Sequence, residues 1–360
     1  MGERAVAFAS RLSSEFDIHL CFRSGGRLAS LLTMWREVSN FRPELCYVLD
    51  MAFCGVAIAG LCTRIRHVPF IVDTGDAIVE LGRAMGRRNI SLWATRQLES
   101  FALSRSDKLV VRGSFHAELL SRRGIKAEFI PDGADIDLFA PTDISTPQKS
   151  DRTLVIGLVG ACVWSPTRNT CYGAELVELI RLLNEKLIRP VRGVIIGDGS
   201  GLEVLKERSR QYGIERQIEF VGWVPFADLP RRLREFDICL STQSNDIVGQ
   251  VRTTGKLPIY LAAGRFILAS KVGEAAKILP SEMLVDFAGD NDPDYATKLA
   301  ERVIELIATG TALSPRRDCV DLARSHFAYD LLSRRLANLF HRIIPSNRRL
   351  SKRPDINQMA

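Results

Sequence analysis

Short apolar runs of four to seven residues alternate with amphipathic stretches across almost the whole chain, and nothing else in the sequence restricts the fold as strongly. The first series of runs is DIHLCF (17–22), LCYVL (45–49), PFIVD (69–73), KLVV (108–111) and AEFIP (127–131). A second series is LVIGLVG (154–160), VRGVIIG (191–197), IEFVG (218–222), DICLST (237–242), FILAS (266–270) and LVDF (284–287). Residues 173–186, 201–212 and 226–235 read as helical stretches and separate members of the second series. Strands that are apolar almost end to end, joined through helices, are buried on both faces and read as parallel sheets. Two series predict two such sheets, in keeping with a chain of 360 residues, which is long for one core. The predicted class is α/β, with two doubly wound domains.

The boundary is predicted in APTDISTPQKSDRT (140–153), which is polar, carries two prolines and has no apolar period. This gives an N-terminal domain over 1–143 and a C-terminal domain over 152–325. The stretch FAYDLLSRRLANLFHRII (327–344) has helical spacing, so 326–345 is predicted as a closing helix that packs back toward the first domain. The polar, basic segment 346–360 is predicted as a disordered tail. The chain opens on a helical pattern, ERAVAFASRL, where a doubly wound domain usually opens on a strand and glycine turn. The expectation is a first domain without its first strand.

Hydrophobic residues make up 46% and charged residues 25%, globular usage that excludes disorder as the class. A net charge of +7 and a pI near 9.1 suit anionic ligands, nucleic acid or an anionic membrane face without choosing among them. Aromatic-interleaved platforms and zinc-finger spacings are absent from the sequence, which argues against nucleic acid. Eight cysteines (Cys21, Cys46, Cys54, Cys62, Cys162, Cys171, Cys239 and Cys319) are scattered through apolar stretches with no CxxC pair. Their spacing supports neither a zinc cluster nor a thioredoxin-like motif, and fits buried thiols in a reducing compartment. The longest apolar run, MAFCGVAIAGLC (51–62), has twelve residues; it is too short to span a bilayer and reads as a buried helix. With no secretory signal pattern, the expected location is cytoplasmic.

Ligands of paired doubly wound domains bind in the cleft at the carboxyl ends of the strands. Glycines there let backbone amides approach phosphate. GACVWSPTRN (160–169), GDGSG (197–201) and TTGKLP (253–258) meet that description, although each taken singly is also an ordinary turn.

FIPDGADIDLFAP (129–141) resembles the IPNGVD…F.P signature that ends the N-terminal domain of family 4 glycosyltransferases. VIIGDGSGLEVLKERSRQYGIERQIEFVGWVPFADLPRRLREFDICLST (194–242) is similar to the first half of their donor domain, and KLPIYLAAGRFILAS (256–270) to the KlfEYlA.G.PVi.s segment that follows. The resemblance runs over residues 3–343, and the order of its motifs is more specific than any one of them. It implies the GT-B fold, two Rossmann-like doubly wound domains facing a cleft. The C-terminal domain would hold a nucleotide-sugar donor and the N-terminal domain the acceptor. It also implies retention of anomeric configuration, no metal, and no cofactor beyond the nucleoside-diphosphate sugar as co-substrate.

On that resemblance Lys256 matches the lysine of the family's Kl.EY segment, where a cation offsets charge on a departing diphosphate. Read without it, Lys256 is a solvated lysine at a helix start. Arg168 falls in the loop after the first donor-domain strand, where the family places basic residues against the same diphosphate; it is otherwise part of a polar turn. Gly160 and Gly197 lie in the glycine turns of the donor cleft, and Thr254 and Gly255 would present hydroxyl and backbone donors. Trp223 and Val224 fall where the nucleobase is read and covered, with interdomain packing as the other reading of Trp223. On the acceptor side, DTGD (73–76) places Asp73 and Asp76 at a strand end. Carboxylates there position an acceptor hydroxyl or take its proton, or else cap the next helix. Arg112 and Ser114 follow a strand near the same cleft.

The sequence also departs from the family pattern. Its two donor-site glutamates fall on Val251 and Ile259, and its cleft histidine on Gly75. Asp246, Gln250 and Arg252 are the neighbouring polar residues, and Asp246 is taken as the donor contact. Ile259 reads as a core residue, Glu99 as a helix ion-pair partner of Arg96, and His116 as a surface or packing histidine.

The function implied is transfer of a sugar from a nucleoside-diphosphate sugar to a hydroxyl acceptor, such as a lipid-linked saccharide, in polysaccharide or glycolipid biosynthesis. Lys256, Arg168 and Asp76 are the expected catalytic residues. The basic runs GRRN (86–89), SRR (121–123), RRLR (231–234) and NRRLSKR (347–353) are solvated faces or, together, a weak peripheral attachment to the anionic inner face of the cell membrane. Two alternatives stand beside this. One is a non-catalytic member of the fold acting as a nucleotide-binding or assembly partner, which the residues at 251, 259 and 75 favour. The other is a nucleotide-sugar epimerase.

Overall fold

A computed structural model of the chain describes residues 2–141, 152–187 and 190–344, so the heart of the expected linker and the expected tail lie outside the described residues. Four parallel strands lie side by side in chain order: β1 (Cys46–Val48), β2 (Phe70–Thr74), β3 (Lys108–Val111) and β4 (Ala127–Phe129). A second parallel sheet contains β5 (Leu154–Val159), followed in the chain by a small antiparallel hairpin, β6 (Trp164–Ser165) and β7 (Thr170–Cys171). Its other strands are β8 (Val191–Ile196), β9 (Ile218–Gly222), β10 (Ile238–Ser241), β11 (Phe266–Ser270) and β12 (Leu284–Val285). Their order is β12-β11-β10-β5-β8-β9, so the winding reverses between β5 and β10. The carboxyl ends of those two strands form the crevice where open α/β sheets take their ligands.

Two-residue alternation explains how the first sheet is covered on both sides. Ile71 and Val110 join Phe8 and Leu12 of the helix Gly2–Leu12 and Leu332, Leu336 and Phe340 of the helix Tyr329–Ile343. Phe70, Val72 and Leu109 join Val56 and Ala59 of Phe53–Arg66 and Ala102 of Asn89–Arg105. The chain returns to the first sheet through a short bridge, in which Ala134 N–H donates to Phe327 C=O (2.8 Å) and Tyr329 N–H to Ala134 C=O (3.2 Å). The second sheet buries Leu154, Ile156, Leu158, Ile195, Leu240 and Ile267 against Ala174–Lys186, Lys256–Ala262 and Tyr295–Ala308.

One expected strand does not form. Residues 17–24 pair with no neighbour among the described residues, and Leu20 and Phe22 of DIHLCF are exposed. A strand is held by ladder hydrogen bonds to a neighbour, and β1, at the edge of its sheet, exchanges none with this segment. Residues 226–235 also differ, forming a 3-10 turn (Phe226–Asp228) and the short helix Leu229–Leu233. The apolar run 51–62 lies mostly in Phe53–Arg66, with Cys54, Val56, Ile58, Ala59 and Cys62 buried. No described helix is long and apolar enough to cross a membrane.

Candidate active site

Loops leaving the carboxyl ends of both sheets meet one another. Arg252, beyond β10, donates from Nε to Oδ1 of Asp76, beyond β2, at 2.6 Å. Glu274, beyond β11, accepts from the backbone N–H of Ser114, beyond β3, at 2.9 Å. Lys277 donates to Ser114 Oγ at 2.8 Å and to Glu118 at 2.7 Å. Ser165 donates to the Ala84 carbonyl at 3.0 Å, and Thr167 donates to the same oxygen. The backbones approach so closely that a Cβ on Gly113 would lie 2.3 Å from the Val251 carbonyl oxygen. Beside these contacts is a cavity of about 270 Å³ lined by Glu80, Arg83, Thr167, Arg168 and Asp246 among others.

On the second domain the turns after β5 and β8 lie against each other. Gly160 N–H donates to Ile196 C=O and Cys162 N–H to Asp198 C=O, both at 2.9 Å. Gly197 has φ +142°, and a Cβ there would sit 2.0 Å from the Gly160 oxygen, so this position needs glycine for the turn itself. Lys256 begins the helix Lys256–Ala262 beside these turns, 3.6 Å from where a Gly160 Cβ would be. Its Nζ sits 3.4 Å from the centroid of the Tyr172 ring, a cation–π contact. Desolvation lowers the Lys256 pKa to about 7; Glu175 opposes this and Arg252 adds to it. The preceding Thr253 and Thr254 each keep a buried Oγ1 with no hydrogen-bond partner among the described residues. An ammonium whose pKa is lowered by desolvation gains from an arriving anion, and the two residues before it but one in the chain carry unpaired hydroxyls. Gly255 is exposed and a Cβ on it would meet nothing. Tyr260, fully buried, accepts from Val159 N–H at 2.7 Å and so fixes this helix against the end of β5.

Arg168 and Asp246 form an ion pair, and Arg168 also donates to Ser244 Oγ at 3.1 Å. Asp246 caps the turn Ile247–Gln250 by accepting from Gly249 N–H at 3.0 Å. The two expected donor contacts therefore satisfy each other in this structure. Trp223 does not pack between the domains; it is 75% exposed, while Val224 is half-buried on the second core.

The acceptor-side expectations divide. Asp73 is fully buried and accepts from Arg4 Nη2 (2.8 Å), Arg4 Nε (3.0 Å), Arg112 Nε (2.8 Å) and the Tyr47 hydroxyl. Burial works to raise its pKa, but Arg4 and Arg112 outweigh this and hold the carboxyl below its usual range. Arg112 also pairs with Asp50 at 2.6 Å and Asp132 at 3.6 Å. Asp73 and Arg112 are thus a buried ionic tie between the first helix and β2–β3, with no face left for an acceptor. Ser114 is taken up by the Glu274 and Lys277 contacts. Ser114 and Asp76 both reach the cleft, Ser114 through Glu274 and Lys277 and Asp76 through Arg252.

The sequence assigns no role to Glu175 and only structural roles to Glu99 and His116. His116 is a packing histidine, as one of its two readings had it, and with Glu99, Thr74, Asp76, Glu80 and Arg123 it lines a small cavity of about 30 Å³, room for one water. His116 is 7% exposed, its Nδ1 has no partner among the described residues, and burial lowers its pKa to about 4. Burial also raises the Glu99 pKa, with Glu80 adding to it and Ile78 N–H opposing. Glu175, whose field acts on Lys256, sits in the first turn of Ala174–Lys186 and accepts from Gly173 N–H at 2.9 Å. The acid following a glycine in YGAE was its one sequence signal. Val251 and Ile259 are both buried, Ile259 within the second core.

Two Rossmann-like domains facing across this cleft define a GT-B fold, and solved structures share it. Sucrose-phosphate synthase from Thermosynechococcus elongatus superposes with a TM-score of 0.68 at 15% identity, over 88% of this chain and 78% of that one. HepE of Anabaena, solved with UDP-glucose, gives 0.68 at 14% identity, over 93% and 89%. Likeness at such identities is one of fold. Over part of the chain the relation is more particular: residues 173–279 match the family Glycosyl transferases group 1. That stretch holds Gly197, Trp223, Asp246, Thr254 and Lys256, and excludes Arg168 and Asp76. A phosphatidylinositol N-acetylglucosaminyltransferase component from Arabidopsis thaliana is 24% identical over 188 residues, 51% of this chain; the chain spans 38% of that relative's length.

Proposed function

We propose that the protein is a glycosyltransferase of the family 4 type that moves a sugar from a nucleoside-diphosphate sugar to a hydroxyl acceptor. The observation that carries this is Lys256, desolvated at the switch point of a GT-B donor domain and preceded in the chain by Thr253 and Thr254, whose hydroxyls are unpaired among the described residues. The bond between the anomeric carbon and the diphosphate oxygen breaks, and the acceptor oxygen bonds to that carbon. The acceptor proton passes to Asp76 or to the departing diphosphate. Lys256 supplies positive charge to the leaving group, and Arg168 adds its own by exchanging Asp246 for phosphate, so that the transfer proceeds with retention and without a divalent metal. Asp76 becomes available to the acceptor once Arg252 releases it.

The UDP-glucose of the HepE complex makes a UDP-sugar the first donor to test. The name of the Arabidopsis relative supports a lipid acceptor and glycolipid synthesis, with the exposed basic runs 86–89 and 121–123 holding the protein weakly on an anionic inner membrane face. A second reading, a nucleotide-binding partner without turnover, is favoured by the buried, apolar Val251 and Ile259. Calorimetric titration with UDP, GDP and their sugars, followed by donor-turnover assays, separates the two. Diphosphate affinity with turnover supports transfer. Affinity without turnover of any donor supports the second reading, and no nucleotide affinity sinks both.

A further inference from the structure

The segment that fails to form a strand carries His19 and Cys21. Both meet Glu37 of the helix Arg27–Phe41: a ring nitrogen of His19, Sγ of Cys21 and a carboxylate oxygen of Glu37 all lie within 4.8 Å of one another. His19 Nε2 is 3.4 Å from Glu37 Oε2. The His19 ring also stacks on Phe41, one turn further along the helix, with centroids 5.3 Å apart and planes at 28°. Cys21 packs on the small apolar cluster that includes Met34, Trp35 and Val38 of the same helix. Two independent contacts therefore orient the imidazole, and packing orients the thiol.

We propose that His19, Cys21 and Glu37 bind a zinc ion that clips residues 17–24 to this helix. A thiolate, an imidazole and a carboxylate make a borderline-soft donor set, which suits zinc and not magnesium or calcium. Bonds of about 2.0–2.3 Å place tetrahedral ligand atoms roughly 3.3–3.7 Å apart, so the triad closes by little more than an ångström on binding. The Cys21 thiol gives its proton to solvent, and the sulfur lone pair goes to the metal. The fourth position faces water, since His19 is 43% and Glu37 36% exposed. A segment held by no sheet ladder would gain its anchorage from the ion, and metal binding would appear as folding stability. None of the three residues belongs to the cleft, so the site stands or falls apart from sugar transfer.

The test is titration of the reduced, metal-stripped full chain with cobalt(II), read by the thiolate-to-cobalt charge-transfer band in the near ultraviolet, with zinc as competitor. The expected result is saturation at one ion per chain, displacement by zinc, and a melting temperature raised by zinc. Cys21→Ser should abolish the band, and His19→Ala and Glu37→Gln should each weaken binding by roughly tenfold or more. The half-exposed His19 position keeps the variant folded, which its metal-free circular dichroism and melt will verify. A band that survives Cys21→Ser, or one lost only with Cys46→Ser or Cys62→Ser in the neighbouring cluster, overturns the assignment. So does the absence of saturable binding.

Discussion

Replacing Lys256 with glutamine should remove the pH dependence of nucleotide binding as well as weaken it. Desolvation brings this lysine to a pKa of about 7 in the free protein, while a diphosphate binds its ammonium form. The apparent association constant then falls in proportion to 1 + 10^(pH − 7), a factor near 2 at pH 7 and about 100 at pH 9. Wild-type protein should therefore bind UDP about 50-fold more weakly at pH 9 than at pH 7. The ligand's own second phosphate ionisation, near 6, is largely complete below this window and does not produce the slope. At pH 8 binding should draw up about 0.9 proton per UDP, because that fraction of Lys256 starts neutral. Calorimetry in buffers of different ionisation enthalpy measures both quantities. Lys256→Gln should bind roughly 10–100-fold more weakly at pH 7, the value of a charge-assisted hydrogen bond, and take up no proton. A flat wild-type profile would refute the reasoning, and so would a slope that persists in Lys256→Gln.

Other expectations test the frame around that lysine. Asp73→Asn leaves Arg4 and Arg112 buried without the carboxylate between them, and should cost about 3–5 kcal/mol in urea unfolding. A loss below about 1 kcal/mol would mean that the tie is dispensable. Gly197→Ala forces a methyl to within 2.0 Å of the Gly160 oxygen and should lower both UDP affinity and melting temperature; Gly255→Ala, in open space, should change stability little. His116 titrates near 4 in the fold against about 6.5 unfolded, so the unfolded chain binds the extra proton between these values. Stability is then full above pH 6.5 and is lost as pH falls toward 4, by up to about 3 kcal/mol. His116→Gln should flatten that limb of a pH–stability curve, and an unchanged limb would contradict the assignment.

Much of the architecture was legible in the chain because it is local. LVIGLV and FILAS carry their own two-faced burial, and both become strands of the second sheet. The order of motifs from FIPDGADIDLF to KLPIYLAAG places Lys256 just after a glycine in the second domain. Tertiary structure decided what each polar residue meets. Asp73 and Asp76 sit three positions apart with the same chemistry, yet one closes a buried ionic knot with Arg4 while the other crosses the cleft to Arg252. DIHLCF has the composition of a strand and lacks a ladder partner, and its histidine and cysteine instead meet a glutamate from the next helix. The physical reason is common to all three. Apolar burial follows from periodicity along the chain, whereas hydrogen bonds, ion pairs and desolvation depend on which distant segments arrive beside a side chain. The Lys256 pKa near 7 exists only because packing desolvates the ammonium and brings Arg252 close, against the pull of Glu175, and no spacing in the sequence records that meeting.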